Sequence, residues 1–200
     1  MRPESETKLK LLSTAIELIS ESSYGSVSVD DICKRAGVKK GSFYHFFPSK
    51  SDLTVAAMEA DWQNGQPYLD RMFSPQTPPL ERLRQYFDSK VECQSSKQKE
   101  CGKVLGCPMI TLGAELSTQD EKIRQKSVEI VNRYVKYYES ALREAIEEGE
   151  IEPTNARTLA EELFAYFQGS MLQAKVLNDV QPLRALRAGL ERFLRVREIA

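Results

Sequence analysis

The stretch Ala36-Gly37-Val38-Lys39-Lys40-Gly41-Ser42-Phe43-Tyr44-His45-Phe46-Phe47-Pro48-Ser49-Lys50-Ser51-Asp52-Leu53 decides how the rest of the chain is read. It predicts the turn and second helix of a helix-turn-helix, followed by the start of a further helix. Gly37 suits the turn, because a left-handed backbone costs glycine little. Lys39 to Phe46 is expected to be helical, and Pro48 ends it by driving Phe47 out of the α region. From Ile32 to Ser51 there is no acidic residue, whereas Lys34, Arg35, Lys39, Lys40 and Lys50 are basic. Such a concentration on one short helical unit is the electrostatic footprint of a phosphate-facing surface.

The same residues resemble the TetR family of bacterial transcriptional regulators. An Ala-Gly-Val turn, then Gly-Ser, an aromatic pair, a histidine and a Phe-Pro-Ser-Lys close run almost without interruption from Ala36 to Lys50. The resemblance implies a DNA-binding N-terminal domain and a C-terminal domain that binds a small molecule and dimerises through its last two helices.

Outward from this core, Leu9, Leu12, Ile16 and Ile19 recur at helical spacing and predict a first amphipathic helix. Ser28 with Asp31, and Ser49 with Asp52, have capping-box-like spacing and mark two helix starts. The fourth helix is expected to end near Asn64, with Gly65, Pro67, Pro75, Pro78 and Pro79 forming a connection. Leu80 to about Gln94 reads as helical, Gln94 to Lys99 as a polar loop, and Cys101 to Leu116 as a short irregular buried helix. Thr118 to Glu148 is the longest helical pattern. Two amphipathic helices follow, one opened by Pro153 and one after Pro182, and no strand alternation occurs. The fold class is all-α with about nine helices: a DNA-binding domain over residues 1–52 and a ligand-binding and dimerisation domain over 53–200.

The formal net charge of the 200 residues is only −1, so its distribution carries the information. Residues 1–50 hold eight Lys/Arg against six Asp/Glu, and the other 150 hold twenty against twenty-three. The basic end points to nucleic acid and the acidic body to something else. Four scattered cysteines behind a polar N-terminus suggest a reducing, cytoplasmic setting. Uncharged runs such as Val104 to Ala114 are too short to span a bilayer, so no membrane partner is expected. One histidine makes a metal site improbable, and no cofactor loop is present; the expected chain is not an enzyme and needs no cofactor.

At the DNA end the candidate contacts are Ser28, Lys39, Lys40, Gly41, Ser42, Tyr44, His45 and Lys50. A recognition helix brings its N-terminal residues to major-groove base edges while neighbours grip phosphates. Lys40 can donate to guanine O6 and N7, and Gly41 allows close backbone approach. Lys50 and Ser28 sit at helix starts, where free N–H groups favour an anion. Phe43, Phe46 and Phe47 are expected to face inward. The plain alternatives are that the lysines form an ordinary solvated face and that Tyr44 is a packing residue. The expected partner is double-stranded DNA with a palindromic operator, bound by a homodimer. Leu159, Leu163, Tyr166, Leu186, Leu190 and Phe193 suggest a four-helix seam, unless they pack only within the monomer.

In the body, Trp62, Tyr86, Tyr134, Tyr138, Phe164, Phe167, Gln168 and Met171 would suit an apolar or aromatic inducer, or else form plain core. Gly106-Cys107-Pro108 resembles the subgroup of the family that contains electrophile- and oxidant-responsive repressors. A cysteine near a helix start can react as thiolate, and Lys175 shares helical spacing with Phe164, Phe167 and Met171. Cys107 is otherwise an inert buried thiol. An enzyme-class alternative makes Cys101 and Cys107 a thiol redox pair, but it lacks a Cys-X-X-Cys spacing and a neighbouring base.

Overall fold

A computed structural model describes residues 3–194. Among them occur ten helices and no strand: α1 (Pro3–Glu21), α2 (Val29–Ala36), α3 (Lys40–Phe46), α4 (Lys50–Met72), α5 (Pro79–Cys101), α6 (Pro108–Leu116), α7 (Glu121–Glu147), α8 (Ala156–Leu177), α9 (Gln181–Arg184) and α10 (Leu186–Leu194). The all-α expectation holds. The count exceeds nine because the last expected helix is divided at Ala185 into α9 and α10.

The helices form two compact units. One comprises the chain up to Gln66 together with Pro108–Ile130, and the other comprises Pro67–Cys107 with the chain from Val131 on. In the first unit the apolar stripe of α1 buries Leu11, Ala15 and Ile19, and α2 buries Ile32 and Cys33. Phe43 and Phe47 from the α3 segment and Leu53, Ala57 and Met58 from α4 complete this core. Each of the leucine, isoleucine, phenylalanine and methionine side chains among them contributes about 1.5–3 kcal/mol by leaving water.

The second unit is built around rings. Phe87 and Phe167 stack at 4.9 Å, and Tyr138 lies 5.8 Å from Tyr86, 5.9 Å from Phe73 and 6.0 Å from Phe164. These are the separations at which aromatic pairs add to plain burial. An ion pair closes one side: Arg82, 2% exposed, sends one N–H to the Thr77 carbonyl and another to Glu144 at 2.7 Å.

Three boundaries differ from the sequence reading. Helix α4 continues through Gly65 and Pro67 to Met72, where a break was expected. Residues 63–67 are exposed, so the carbonyl that Pro67 cannot bond faces water and the helix survives. Helix α5 runs to Cys101, so the expected loop Gln94–Lys99 is helical. Its polar run misled because Gln94 is buried and bonded across the fold. The segment before α6 is irregular, and α6 itself begins only at Pro108. The proposed seam residues divide: Leu163, Leu186 and Leu190 are buried within the chain, Leu159 and Tyr166 are half-buried, and Phe193 is exposed. The exposed apolar stripe of α8 is instead Ala165, Gly169, Leu172 and Val176.

Candidate nucleic-acid interface and ligand region

The helix-turn-helix is fixed by local chemistry at each joint. Ser28 caps α2: its hydroxyl accepts the Asp31 N–H at 3.1 Å, and the Asp31 carboxylate accepts the Ser28 N–H at 2.9 Å. The Ser28 hydroxyl also donates to that carboxylate at 2.5 Å, and this bond, with the one from the Ser28 N–H, holds the Asp31 carboxyl below the usual range. At the other end Gly37 is left-handed at φ +67°. Val38 N–H donates to the Cys33 carbonyl at 2.9 Å and Gly37 N–H to that of Lys34 at 3.3 Å, a Schellman turn that closes α2. Lys39 follows in extended conformation and caps α3 with its backbone alone.

Within α3, burial separates two faces. Phe43 and Phe47 are buried, with rings 6.1 Å apart. Lys39, Lys40, Gly41, Tyr44 and His45 are exposed, and Ser42 is half-buried. Tyr44 is 52% exposed with its ring edge-on to Phe43 at 5.1 Å, so its hydroxyl is anchored at the ring and projects outward. Phe46 is only half-buried, against the expectation that it faces inward; it packs edge-on to His45 at 5.0 Å. Nothing lies within 4 Å of where a Cβ on Gly41 would stand.

Two cations differ from the sequence picture. Lys40 pairs with Asp30 at 2.8 Å, and that hydrogen bond raises the lysine pKa. Both partners are exposed, so water and salt screen the pair, and a phosphate can displace Asp30. Lys50 is turned inward: its ammonium donates to the Tyr24 and Val27 carbonyls at 2.9 and 2.8 Å and lies 3.8 Å from the Tyr24 ring centre. Burial pushes its pKa down. Lys50 therefore holds the turn before α2, a role that its position at a helix start did not disclose.

Of the ligand candidates, Trp62 is buried in the first unit and the other nine lie in the second. Tyr86, Tyr138, Phe164, Phe167 and Met171 are all buried, while Tyr134, Cys107, Gln168 and Lys175 are partly so. Burial pushes the Tyr86 and Tyr138 phenols well above their ordinary pKa, so both stay protonated donors at neutral pH. The Tyr138 hydroxyl and the Gln168 carbonyl oxygen are buried without a hydrogen-bond partner. The nearby Tyr86 hydroxyl offsets part of the upward push of burial on Tyr138. A ligand's polar group can satisfy each of these two orphaned atoms, the Tyr138 hydroxyl and the Gln168 oxygen.

The segment before Cys107 is held rigidly. The Gln94 amide donates to the Gly106 carbonyl at 3.1 Å, and its oxygen accepts the Leu105 and Gly106 N–H groups at 3.1 Å each. Asn178, left-handed at φ +49°, accepts the Val104 N–H at 2.8 Å and donates to the Gly102 carbonyl at 3.0 Å. Sequence reasoning missed both amides; a buried Gln in a polar-looking run gives no periodic signal. Gly106 sits at φ +70°, and a Cβ there would stand 3.2 Å from Lys175 Cδ, so the Lys175 stem crosses directly over the residue before Cys107. Cys101 is exposed and its thiol faces the Lys97 carbonyl of its own helix.

Comparison with known proteins agrees with this geometry. The family model described as "Bacterial regulatory proteins, tetR family" matches residues 11–57, and "Tetracyclin repressor-like, C-terminal domain" matches residues 79–190. The transcriptional regulator AcuR of Cereibacter sphaeroides is 30% identical, over 88% of this chain and 79% of its own length. The repressor NemR of Escherichia coli is 26% identical, over 96% of this chain and 95% of its own. The crystal structure of E. coli NemR in its reduced form superposes with a TM-score of 0.85 at 25% identity, covering 96% of this chain and 99% of that one. The matches are regulators, and they do not favour a thiol redox pair at Cys101 and Cys107.

Proposed function

The chain belongs to the TetR family of bacterial transcriptional regulators, and on that premise we propose that it is a homodimeric repressor of a palindromic operator, released by a small molecule. The observation that carries the proposal is the two-faced α3. Phe43 and Phe47 fix the helix from below, and Lys39, Lys40, Gly41, Ser42, Tyr44 and His45 stand on its open side. Lys40 and Tyr44 reach base edges or phosphates, Ser28 donates at the start of α2, and Lys50 acts through the turn that it holds. The DNA-binding domain spans residues 1–52 and the regulatory domain 53–200. The protein works in the cytoplasm, where its DNA is, and carries no catalytic step.

Two exposed features support dimerisation. Leu172 and Val176 of α8 are 55% and 75% exposed and continue the Ala165–Gly169 stripe, a flat apolar surface suited to a second copy. Operator geometry also requires it, because two recognition helices must meet half-sites about one DNA turn, roughly 34–36 Å, apart.

For the inducer, the aromatic wall with a phenol donor and an amide acceptor supports an apolar or aromatic molecule bearing a carbonyl. The Lys175 stem over Gly106 supports a thiol-directed variant, in which an electrophile adds to Cys107. In that step the sulfur–carbon bond forms, the electrophile's π bond breaks, and the thiol proton ends on the electrophile. The test is selection of duplexes from a random-sequence pool by the purified protein. An enriched inverted repeat supports the reading, and a pool that shows no symmetric motif overturns it.

A further inference from the structure

One peptide bond in the first unit is gripped from both ends by opposite charges. The Tyr24 carbonyl accepts from the Lys50 ammonium at 2.9 Å, and the N–H of the same peptide, on Gly25, donates to Glu115 Oε1 at 2.9 Å. Glu115 Oε2 also takes the Tyr24 N–H at 3.1 Å, and Lys50 also takes the Val27 carbonyl at 2.8 Å. Four charge-assisted hydrogen bonds therefore converge on the turn from Tyr24 to Val27, each roughly twice as strong as a neutral one. A peptide polarised at both ends strengthens both of its bonds.

This turn is not a bystander. Val27 is followed by Ser28, the cap of α2, so the turn fixes where the helix-turn-helix begins. Glu115 comes from the last turn of α6, a helix that starts directly after Cys107. The segment beyond it makes two more ties of the same kind to α4: Lys122 to Asp52 at 2.7 Å and Lys126 to Glu59 at 3.0 Å. Asp52 is also the carboxylate that accepts from the Ser49 hydroxyl at the start of α4. The turn that precedes α2 and the helix α4 that follows α3 are thus both tied to the α6–α7 segment by charged side chains.

We propose that Glu115 is a positioning residue for DNA binding: it holds the turn from which α2 and α3 are aimed. Lone exposed ion pairs contribute little, but here the carboxylate binds two consecutive backbone N–H groups of one turn. The inference rests on the DNA-binding reading above.

The test uses the full-length protein, the duplex that the wild type enriches, and a scrambled duplex, with binding read by fluorescence anisotropy. E115A removes both acceptors, and E115Q keeps one neutral oxygen in nearly the same shape. E115A is expected to weaken binding to the enriched duplex about tenfold, the equivalent of one lost charge-assisted bond, with E115Q intermediate. Binding to scrambled DNA stays near wild type, the Tm falls by only a few degrees, and the Tyr24 and Gly25 amides exchange faster with deuterium. Wild-type affinity in E115A would overturn the inference while leaving the DNA-binding reading intact. So would a parallel fall in both affinities and Tm in E115Q, which marks a merely structural role. A wild type that enriches no duplex sinks the DNA-binding reading, and this inference with it.

Discussion

Replacing Gln94 by leucine tests whether one buried amide holds the segment that leads to Cys107. Leucine has a similar volume, so the change removes hydrogen bonds without opening a large cavity. Three backbone groups lose their partner: the Leu105 N–H, the Gly106 N–H and the Gly106 carbonyl. An orphaned buried group costs about 1–3 kcal/mol. Leucine regains about 1–2 kcal/mol by burying an apolar side chain in place of an amide. The net expectation is a loss of about 3 kcal/mol, a drop in Tm of roughly 6–12 °C for a chain of this size. Urea denaturation followed by circular dichroism gives the free energy. Alkylation of Cys107 in a background with Cys93 and Cys101 replaced by serine should also accelerate, because its flanking backbone is loosened. A loss below about 0.5 kcal/mol with an unchanged alkylation rate would refute the reasoning, since two buried groups and one part-buried group cannot lose a partner without cost.

Gly189→Ala should strain the contact between α8 and α10, because its Cβ would stand 1.8 Å from the Tyr166 hydroxyl oxygen. The Tyr166 ring must then leave its stack on Phe193, at a cost of about 1–3 kcal/mol by thermal unfolding; an unchanged Tm contradicts the packing. Val176→Asp places a charge on the exposed α8 stripe and should shift sedimentation from dimer to monomer, whereas an unshifted dimer would place the seam elsewhere. Glu144 contributes a pH-dependent term: its hydrogen bond with Arg82 holds its carboxyl pKa below the unfolded value. That stabilisation is full above the unfolded value of about 4.3 and is lost as pH falls through the lower folded value. The difference in urea midpoint between wild type and Glu144→Gln should therefore shrink from pH 7 to pH 3.5, and a constant difference would contradict the pairing.

The recognition unit was legible because its signals are local. Gly37, Pro48 and the Ser28–Asp31 and Ser49–Asp52 boxes each act within a few residues, and the structure uses them as the spacing implies. The alternation of buried Phe43 and Phe47 with exposed Tyr44 and His45 also follows from one short helix. What depended on distant partners was not legible. Lys50 read as a surface cation because the Tyr24 and Val27 carbonyls that receive it are more than twenty residues away. Gln94 read as loop because polarity along the chain does not reveal an amide bonded eleven and twelve residues on. Pro67 read as a break, but a helix exposed at that point tolerates the missing bond. The apolar residues of α8 were recognised as more than one core needs, yet their division between the interior and the open stripe required the neighbouring helices.

The central claim is that α3 reads DNA through its open side. The direct measurement is the salt dependence of binding to the enriched palindrome and to a scrambled duplex, for the wild type and for a Lys39→Ala, Lys40→Ala variant. The account predicts a steep log–log slope, shallower by about 3.6 in the variant, which removes two lysines from each of two protomers at about 0.9 per phosphate contact, with the palindrome preferred by the wild type. Equal affinity for both duplexes, or a slope that the two substitutions leave unchanged, would contradict it.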